Sequence, residues 1–475
     1  MSLARRVAWN TLAQTLARSL ALVLAIVVTA LLTRQLGVSI YGDYITITVY
    51  ISFFALFFDW GISTMLAREL AAGGASSRLV ATALGLRLAL CLPVMLLAAG
   101  IGFLVYRSDA DHAVRYGILI ALPAILLTAV SSTLGAVFQA QLKLDRVAAA
   151  EALSQVVLAG TIIALVLANR TLYEVLAATV AGSAINTGIL VFLSRGLVPI
   201  RPQVDPAGWR TLFVRALPLG LGLMVATIYF RADALMLSVL KSSADVGIYG
   251  VAYRFLEAIT AFPGFFYASI FPVVAALARR RELAELRAVA QRSFDLLILG
   301  ALPIVLGTLV LAPEIVRALT GNEFLKSVTP LRLVIVGGGL MFVNGLLAYI
   351  LVALDRQVSV LWLATAALAF NVGLNLILIP KYSYTGAAAV ATASEALCLM
   401  GSLWLVRRFA SFTPSLRVAL KGAVAGTAMT VAIVLVDLPL AFAVLLGGAI
   451  YVGLLLLMRT HESLELRQLL KAGGA

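Results

Sequence analysis

The chain has 475 residues, of which 62% are hydrophobic and 12% charged, and its formal net charge is +14 at pH 7. Soluble globular domains carry roughly 25% charged residues, so this composition excludes an ordinary soluble protein. The basic residues lie in short connectors between apolar segments and not on one solvated face. We therefore do not expect a nucleic-acid-binding protein, despite the net charge.

Apolar segments long enough to cross a bilayer recur along the whole chain. A membrane-spanning helix needs about 20 mostly apolar residues, because about 30 Å of hydrocarbon is crossed at 1.5 Å per residue. Hydropathy, with Gly, Pro and charged residues marking the connectors, predicts fourteen such helices. In chain order they are 11–33, 44–66, 79–106, 116–140, 147–168, 172–194, 212–240, 247–278, 294–312, 331–354, 358–379, 385–406, 416–436 and 440–458.

Two short motifs occur twice, at nearly the same separation. "VSIYGDY" at 38–44 is echoed by "VGIYGVAY" at 246–253, and "KLDR" at 143–146 is echoed by "ALDR" at 353–356. The two Tyr-Gly pairs are 208 residues apart, and the two Asp-Arg pairs are 210 residues apart. Two matches at nearly one offset predict a duplicated unit of roughly two hundred residues.

This duplication gives the predicted domain organisation. A copy displaced by six helices keeps its orientation in the membrane, so the two halves would be parallel repeats. We assign residues 1–194 to an N-terminal six-helix lobe, 195–211 to a cytoplasmic linker and 212–406 to a C-terminal six-helix lobe. Residues 407–475 would form two additional helices and a cytoplasmic tail. The predicted fold class is an all-α integral membrane protein.

The distribution of Lys and Arg predicts the orientation in the membrane. Of 36 basic residues, 23 flank the predicted spans on one side and nine on the other. Because basic connectors stay on the cytoplasmic side, we predict a multi-pass protein of the cytoplasmic (inner) membrane with both termini in the cytoplasm. One basic flank, 279–292, fits a solvated loop or an amphipathic surface helix whose Leu283, Leu286 and Val289 face lipid.

Arginines inside the predicted spans are candidate substrate-binding residues, because each costs about 2.5–3.5 kcal/mol to insert and needs a polar cavity or a partner. Arg231 is far from both flanks and either faces a cavity or forms a buried structural ion pair. Arg18 either faces a cavity or reaches the cytoplasmic headgroups. Arg87 is the weakest candidate, since the rest of its helix is long enough to span alone. Arg254 and Glu257, three residues apart, could neutralise each other at the outer edge.

Acidic residues inside the spans would bind a coupling ion or act as partners of the arginines. The candidates are Asp59, Asp233, Glu257 and Glu395. Asp233 is two residues from Arg231, so the two side chains point away from each other on a helix.

The remaining polar residues give no sign of catalysis. Asn371 and Asn375, one helical turn apart, are predicted to hydrogen-bond between helices. Cys91 and Cys398 lie inside apolar segments and are interpreted as core residues. No metal, nucleotide or nucleophile motif stands out, so we expect no cofactor, no metal and no catalytic residue.

Two segments near the N-terminus carry a family resemblance. "TRQLGVSIYGDY" at 33–44 matches an Arg-x-Leu-Gly-x-x-x-Tyr-Gly turn, and "DWGISTMLARE" at 59–69 matches an Asp-x-Gly…Arg-Glu segment. Both resemble polysaccharide and oligosaccharide flippases, including the O-antigen type, of the multidrug/oligosaccharidyl-lipid/polysaccharide (MOP) exporter superfamily. Val38-Ser39 replaces a Pro-Glu often seen in that turn, and Trp60 replaces a smaller apolar residue.

The resemblance implies two lobes in a V around a central cavity that opens alternately to each side of the membrane. It implies a polyprenyl-diphosphate-linked oligosaccharide as substrate, moved from the inner to the outer leaflet, and coupling to an ion gradient. By this analogy Arg18, Arg231 and Arg254 would bind the diphosphate or acidic sugars. Asp59 occupies a matching position, where it could instead hold the helix end near Arg68. Membrane lipids are expected partners, and a polysaccharide polymerase or export machinery could be another.

Two other function classes stay open. A drug or cation antiporter of the same superfamily would need a more acidic or aromatic cavity, whereas the deepest charge here is Arg231. A membrane enzyme, such as an O-antigen polymerase, a ligase or a polyprenyl-linked glycosyltransferase, would favour a sizeable outer loop or an acidic motif near the lipid surface. The longest outer loop, 313–330, has about eighteen residues, and the first offers only Asp43. We therefore expect a flippase and not an enzyme.

Overall fold

The computed structural model describes residues 3–72, 76–197, 201–436 and 438–458. This part of the chain is helical, contains no β-strand and confirms the predicted all-α membrane protein. Two short 3₁₀ helices cover Asp109–Asp111 and Asn322–Ser327. The α-helices are α1 (Leu3–Asp59), α2 (Ile62–Ala71), α3 (Ser76–Val105), α4 (His112–Ala121), α5 (Pro123–Ala140), α6 (Leu144–Leu167), α7 (Leu172–Ser194), α8 (Pro206–Leu240), α9 (Ser243–Arg280), α10 (Leu283–Thr320), α11 (Val328–Ala353), α12 (Gln357–Ala410), α13 (Arg417–Val436) and α14 (Leu440–Leu457).

Within the described residues, eleven helices are long and apolar enough to cross a membrane, or twelve if the bent α9 counts as one span. Several are longer than one crossing of about 30 Å, and two of these, Ser19–Phe57 with 39 residues and α12 with 54, are also interrupted. Each contains a non-helical residue, Gly37 with φ 71° in α1 and Ser383 with φ 48° in α12. Each therefore divides into two spans, in agreement with the fourteen predicted.

The second predicted span, 44–66, is interrupted near its end. Helix α1 ends at Asp59 and α2 begins at Ile62, because Trp60 and Gly61 both have positive φ angles, 42° and 76°. A Cβ on Gly61 would lie 2.8 Å from the backbone nitrogen of Gly220 in α8. Hydropathy does not detect this break, because it depends on a close contact between two backbones that are distant in sequence.

By packing, the chain divides into two compact units, residues 1–250 and 251–475. The first contains α1 to α8 and the start of α9. One of its cores joins α2, α3, α5 and α8 through buried residues that include Leu66, Val80, Val137 and Leu212. The six-helix lobes are defined by sequence repetition and not by packing, and they stay a prediction.

Two apolar cores lie in the described part of the second unit. Buried residues of α9, α10, α11 and α12 form the larger one, with Phe294, Leu346 and Val406 among them. The other joins α10 to α13 and α14 around Leu299, Met429 and Tyr451. The Tyr451 hydroxyl donates to the backbone oxygen of Leu299 at 2.8 Å, so these last two helices are fixed onto α10.

The basic flank 279–292 is neither a solvated loop nor a separate surface helix. Helix α9 ends at Arg280, Arg281 turns the chain with φ 60°, and α10 starts at Leu283 and continues for 38 residues. Leu286 is fully buried in the larger core of the second unit, and Val289 packs against that core. The prediction that Leu286 and Val289 face lipid is therefore wrong, because both pack on the inner face of a long helix.

The two copies of the repeated turn meet inside the first unit. A Cβ on Gly42 would lie 1.7 Å from the backbone oxygen of Ser243, at the start of α9. A Cβ on Gly247 would lie 2.3 Å from the backbone oxygen of Val38. Only glycine permits two backbones to approach this closely. The repetition that is visible in the sequence thus corresponds to a direct contact between the two turns.

The helix break supplies a test of the fold. We expect Gly61→Ala to lower the free energy of unfolding by about 1–3 kcal/mol, because the new methyl group adds left-handed strain and clashes with Gly220. The measurement is the unfolding midpoint of the purified protein in one detergent. Gly160→Ala is the control, since a Cβ there has nothing within 4 Å. Equal midpoints for Gly61→Ala and wild type would contradict the description of the break.

Candidate functional site: a buried arginine network beside a helix break

Arg87 of α3 is fully buried and surrounded by polar groups. Its Nη1 donates to Thr133 Oγ1 at 2.6 Å and to Ser132 Oγ at 3.0 Å, both on α5. Its Nη2 donates to Ser63 Oγ at 2.7 Å and forms an ion pair with Asp59. The network joins α1, α2, α3 and α5, and it neutralises a charge that would otherwise be very costly inside a membrane protein.

The helix break places Asp59 and Ser63 around the guanidinium. Asp59 is the last residue of α1, and Ser63 follows in the first turn of α2. The Ser63 hydroxyl donates to Asp59 Oδ1 at 2.7 Å, so the two side chains bind Arg87 together. The Asp59 side chain is 30% exposed, whereas that of Arg87 is 0% exposed. Only the carboxylate end of this pair is thus open to its surroundings.

Of the other candidate arginines, Arg231 and Arg254 are less buried than Arg87. Arg231 in α8 is half-buried. Arg254 in α9 forms the predicted ion pair with Glu257, with 3.0 Å between Nη1 and Oε2, and both side chains are about one-third exposed. Arg18 lies in α1, but its side chain is outside the described part of the structure. The binding roles of these residues and of Arg87 stay predictions.

The remaining acidic candidates are more deeply buried. Asp233 in α8 is 4% exposed, and its Oδ2 accepts a hydrogen bond of 3.1 Å from the Tyr249 hydroxyl. Tyr249 is the tyrosine of the second repeated turn, so this bond fixes that turn to α8. Glu395 is 7% exposed in the second half of α12. The role of Asp233, Glu257 and Glu395 as coupling sites stays a prediction.

Asn371 hydrogen-bonds to another span, as predicted, and Asn375 bonds to Asn371 within its own span. Asn375 Nδ2 donates to Asn371 Oδ1 at 3.0 Å, and Asn371 Nδ2 donates to Ser394 Oγ at 3.3 Å. Asn371 and Ser394 lie on opposite sides of the break at Ser383. These bonds therefore connect the two spans of α12.

Sequence reasoning missed the hydroxyl groups around Arg87 and also its partner. It proposed Arg68 as a neighbour of Asp59, but Asp59 pairs with Arg87. The Asp59-to-Ser63 spacing of one helical turn was a signal that could have been used. Ser132 and Thr133 carry no such signal, because their approach to Arg87 depends on how α3 and α5 pack.

A cleft of about 450 Å³ lies at the predicted cytoplasmic end of the first unit, between α2, α3 and α8. Two ion pairs border it: Arg78 with Asp205 at 3.2 Å and Arg215 with Glu69 at 3.7 Å. Asp205 also accepts from the backbone nitrogen of Gly208 at 2.9 Å as the cap of α8. This backbone bond, together with Arg78, holds the pKa of Asp205 below its usual value.

The Arg87 network supplies a second test. We expect Asp59→Asn to lower the free energy of unfolding by about 3–5 kcal/mol, because it leaves the buried guanidinium without a counter-charge. The double variant Asp59→Asn with Arg87→Met should recover most of this loss, since no charge is then buried. Unfolding midpoints in detergent measure both effects.

Glu257→Gln is the matched control for Asp59→Asn. It removes the partner of Arg254, which is 32% exposed and can be solvated, so its cost should stay below about 1 kcal/mol. Equal losses of unfolding free energy for Asp59→Asn and Glu257→Gln would contradict the claim that the buried Arg87 depends on its counter-charge.

The family model described as "Polysaccharide biosynthesis protein" matches residues 3–278, more than half of the chain. The MatE family model matches residues 218–377. A comparison with curated protein sequences gave no match.

Several solved transporter structures share the fold. The lipid II flippase MurJ, in an inward closed conformation, aligns with a TM-score of 0.80 at 14% identity, over 94% of this chain and 98% of MurJ. An inward-facing multidrug resistance MATE transporter of the MOP superfamily gives 0.65 at 14% identity, over 84% and 95% of the two chains. The eukaryotic MATE transporter AtDTX14 gives 0.62 at 16% identity, over 89% and 98%. At these identities the likeness establishes the fold.

These findings confirm the family resemblance of the two N-terminal motifs. The chain is a multi-pass membrane protein with the fold of the MOP transporters and flippases. By the extent of its sequence match, it belongs to the polysaccharide biosynthesis protein family.

Proposed function

We propose that the protein is a flippase that moves a polyprenyl-diphosphate-linked oligosaccharide from the cytoplasmic to the outer leaflet by alternating access, coupled to an ion gradient. The observation that carries this proposal is the family match over residues 3–278. In the proposed setting the protein lies in the cytoplasmic membrane with both termini in the cytoplasm. It acts as a transporter and not as an enzyme, and it supplies polysaccharide polymerase or export machinery with substrate.

The chemistry of the buried charges supports an anionic substrate. A guanidinium remains charged and can form two parallel hydrogen bonds to a diphosphate. Arg231 is half-buried within the apolar stretch Gly220–Leu240, so it is the arginine best placed to bind such a group. Both terminal nitrogens of Arg87 are already engaged by Asp59 and by three hydroxyl groups, so it serves better as a structural charge in this conformation.

The ion pair of Arg254 and Glu257 has a different use in this proposal. Both partners are about one-third exposed, so their separation costs far less than separation of a fully buried pair. A diphosphate that approaches Arg254 can displace Glu257, which then becomes available for a proton. This exchange would connect substrate binding to a change in the charge of the protein.

A MATE-type drug or cation antiporter is the second candidate. The MatE model match at 218–377 and the two MATE structures favour it. The buried carboxylates of Asp233 and Glu395 could attract a cation. The half-buried Arg231 opposes this function, because it would repel a cationic drug.

Transport by purified protein distinguishes the candidates. We expect wild type in proteoliposomes to move a fluorescent polyprenyl-diphosphate oligosaccharide between leaflets. Arg231→Ala should reduce the rate about 10- to 100-fold, because charge-assisted hydrogen bonds contribute about 1.5–3 kcal/mol. Arg231→Lys should restore part of the rate if charge matters more than bidentate geometry.

Arg210→Ala is the matched control, since Arg210 lies on the same helix but is exposed near its start. It should transport at close to the wild-type rate. Export of cationic dyes by a wild type that leaves the lipid-linked oligosaccharide in place would overturn the flippase proposal in favour of the antiporter.

A further inference from the structure

Asp43 is a buried carboxylate at the contact between the two repeated turns. It follows Gly42, whose backbone touches Ser243, and it is 7% exposed. Its Oδ1 is buried and accepts no hydrogen bond from any described residue. The side chain of Ser243 is its hydrogen-bonding partner, and within the described residues Asp43 forms no ion pair.

Burial disfavours the charged form of this carboxylate more strongly than the hydrogen bond with Ser243 favours it. Asp111, from the 3₁₀ helix Asp109–Asp111, acts on it as a like charge. Asp245 adds a further acid at the start of α9, where it bonds to Ser242. Burial of a carboxylate without a counter-charge favours its neutral, protonated form.

The second copy of the repeat shows that packing does not require a carboxylate here. Aligning "VSIYGDY" with "VGIYGVAY" places Val251 opposite Asp43. Val251 is 5% exposed, so an aliphatic side chain occupies the equivalent position of the other turn with similar burial. Because valine fits the equivalent position, packing alone does not explain why residue 43 is an acid.

We propose that Asp43 is a proton-binding site that closes with the contact between the two turns. In the closed contact the carboxyl binds a proton more readily than in the open one, because Oδ1 is then buried without a hydrogen-bond donor among the described residues. When the turns separate, water reaches the carboxylate and the proton leaves to solvent. Closing reverses this step and takes one proton from the medium on that side. The only bond made or broken is the O–H bond of Asp43.

We place Asp43 at the outer face of the membrane, and this placement rests on the proposed function and orientation. A low outer pH then favours the closed contact, and a high outer pH favours the open one. Since one proton is involved, the ratio of open to closed molecules changes by at most about tenfold per pH unit. By this proposal, the proton is an ion that acts on the transport cycle.

Accessibility of a cysteine in the contact tests the proposal without any substrate. Val246, beside Gly247, is 1% exposed and reports opening of the contact. Ile40 is 41% exposed and serves as the reference position. With the buried Cys91 and Cys398 replaced by alanine, Val246→Cys and Ile40→Cys are alkylated by a membrane-impermeant maleimide between pH 5.5 and 8. The ratio of the two rates removes the intrinsic pH dependence of the thiol.

We expect this ratio to rise with pH, by up to about tenfold per unit. Asp43→Asn and Asp43→Val should give a low ratio that does not change with pH, because neither side chain can ionise. Asp43→Val also guards against misfolding, since the other repeat has valine at this position, and its unfolding midpoint should be at least that of wild type. An alkylation ratio that is constant with pH when residue 43 is Asp would overturn the proposal. The same pH dependence with Asp43→Asn as with Asp43 would also overturn it.

This outcome is separable from that of the proposed function. A wild type that shows the expected alkylation profile but moves no lipid-linked oligosaccharide contradicts the flippase and leaves the proton site intact. A wild type that moves the lipid with a constant alkylation ratio does the reverse.

Discussion

The guanidinium of Arg87 must be neutralised where it lies, because its side chain has no exposed surface and the surrounding helices are apolar. Several features of the first unit follow from this requirement. Asp59 can reach the guanidinium since α1 stops there, and Ser63 can reach it since α2 restarts within three residues. Ser132 and Thr133 fix the position of α5 against α3. A single buried charge thus determines how four helical segments are arranged.

Close backbone contacts form the second constraint. Gly61 meets Gly220, Gly85 meets the backbone of Gln203, and Gly42 meets that of Ser243. Gln203 also donates its backbone hydrogen bond to the Ala81 oxygen at 3.0 Å. These contacts hold the segment after α7, all of α8 and the start of α9 against the first three helices.

Much of the fold could be predicted from the sequence, because length and hydropathy determine how many times a chain crosses a bilayer. The fourteen spans and the pair Arg254–Glu257 follow from rules that act within one helix. The partner of Arg87, the break at Trp60 and the inner face of 279–292 could not be predicted, because each depends on which helices become neighbours. The repeated turns were recognised in the sequence as a duplication. Their contact with each other, and the burial of Asp43 within it, required the structure.

The central claim is that the half-buried Arg231 selects an anionic lipid-linked substrate. The most direct test is equilibrium binding of a polyprenyl-diphosphate oligosaccharide and of a cationic drug to the purified protein at two salt concentrations. The account predicts that the anionic lipid binds, that its affinity falls as salt rises, and that Arg231→Ala weakens it while Arg210→Ala does not. Binding of the cationic drug alone, with an affinity that is insensitive to Arg231, would contradict it.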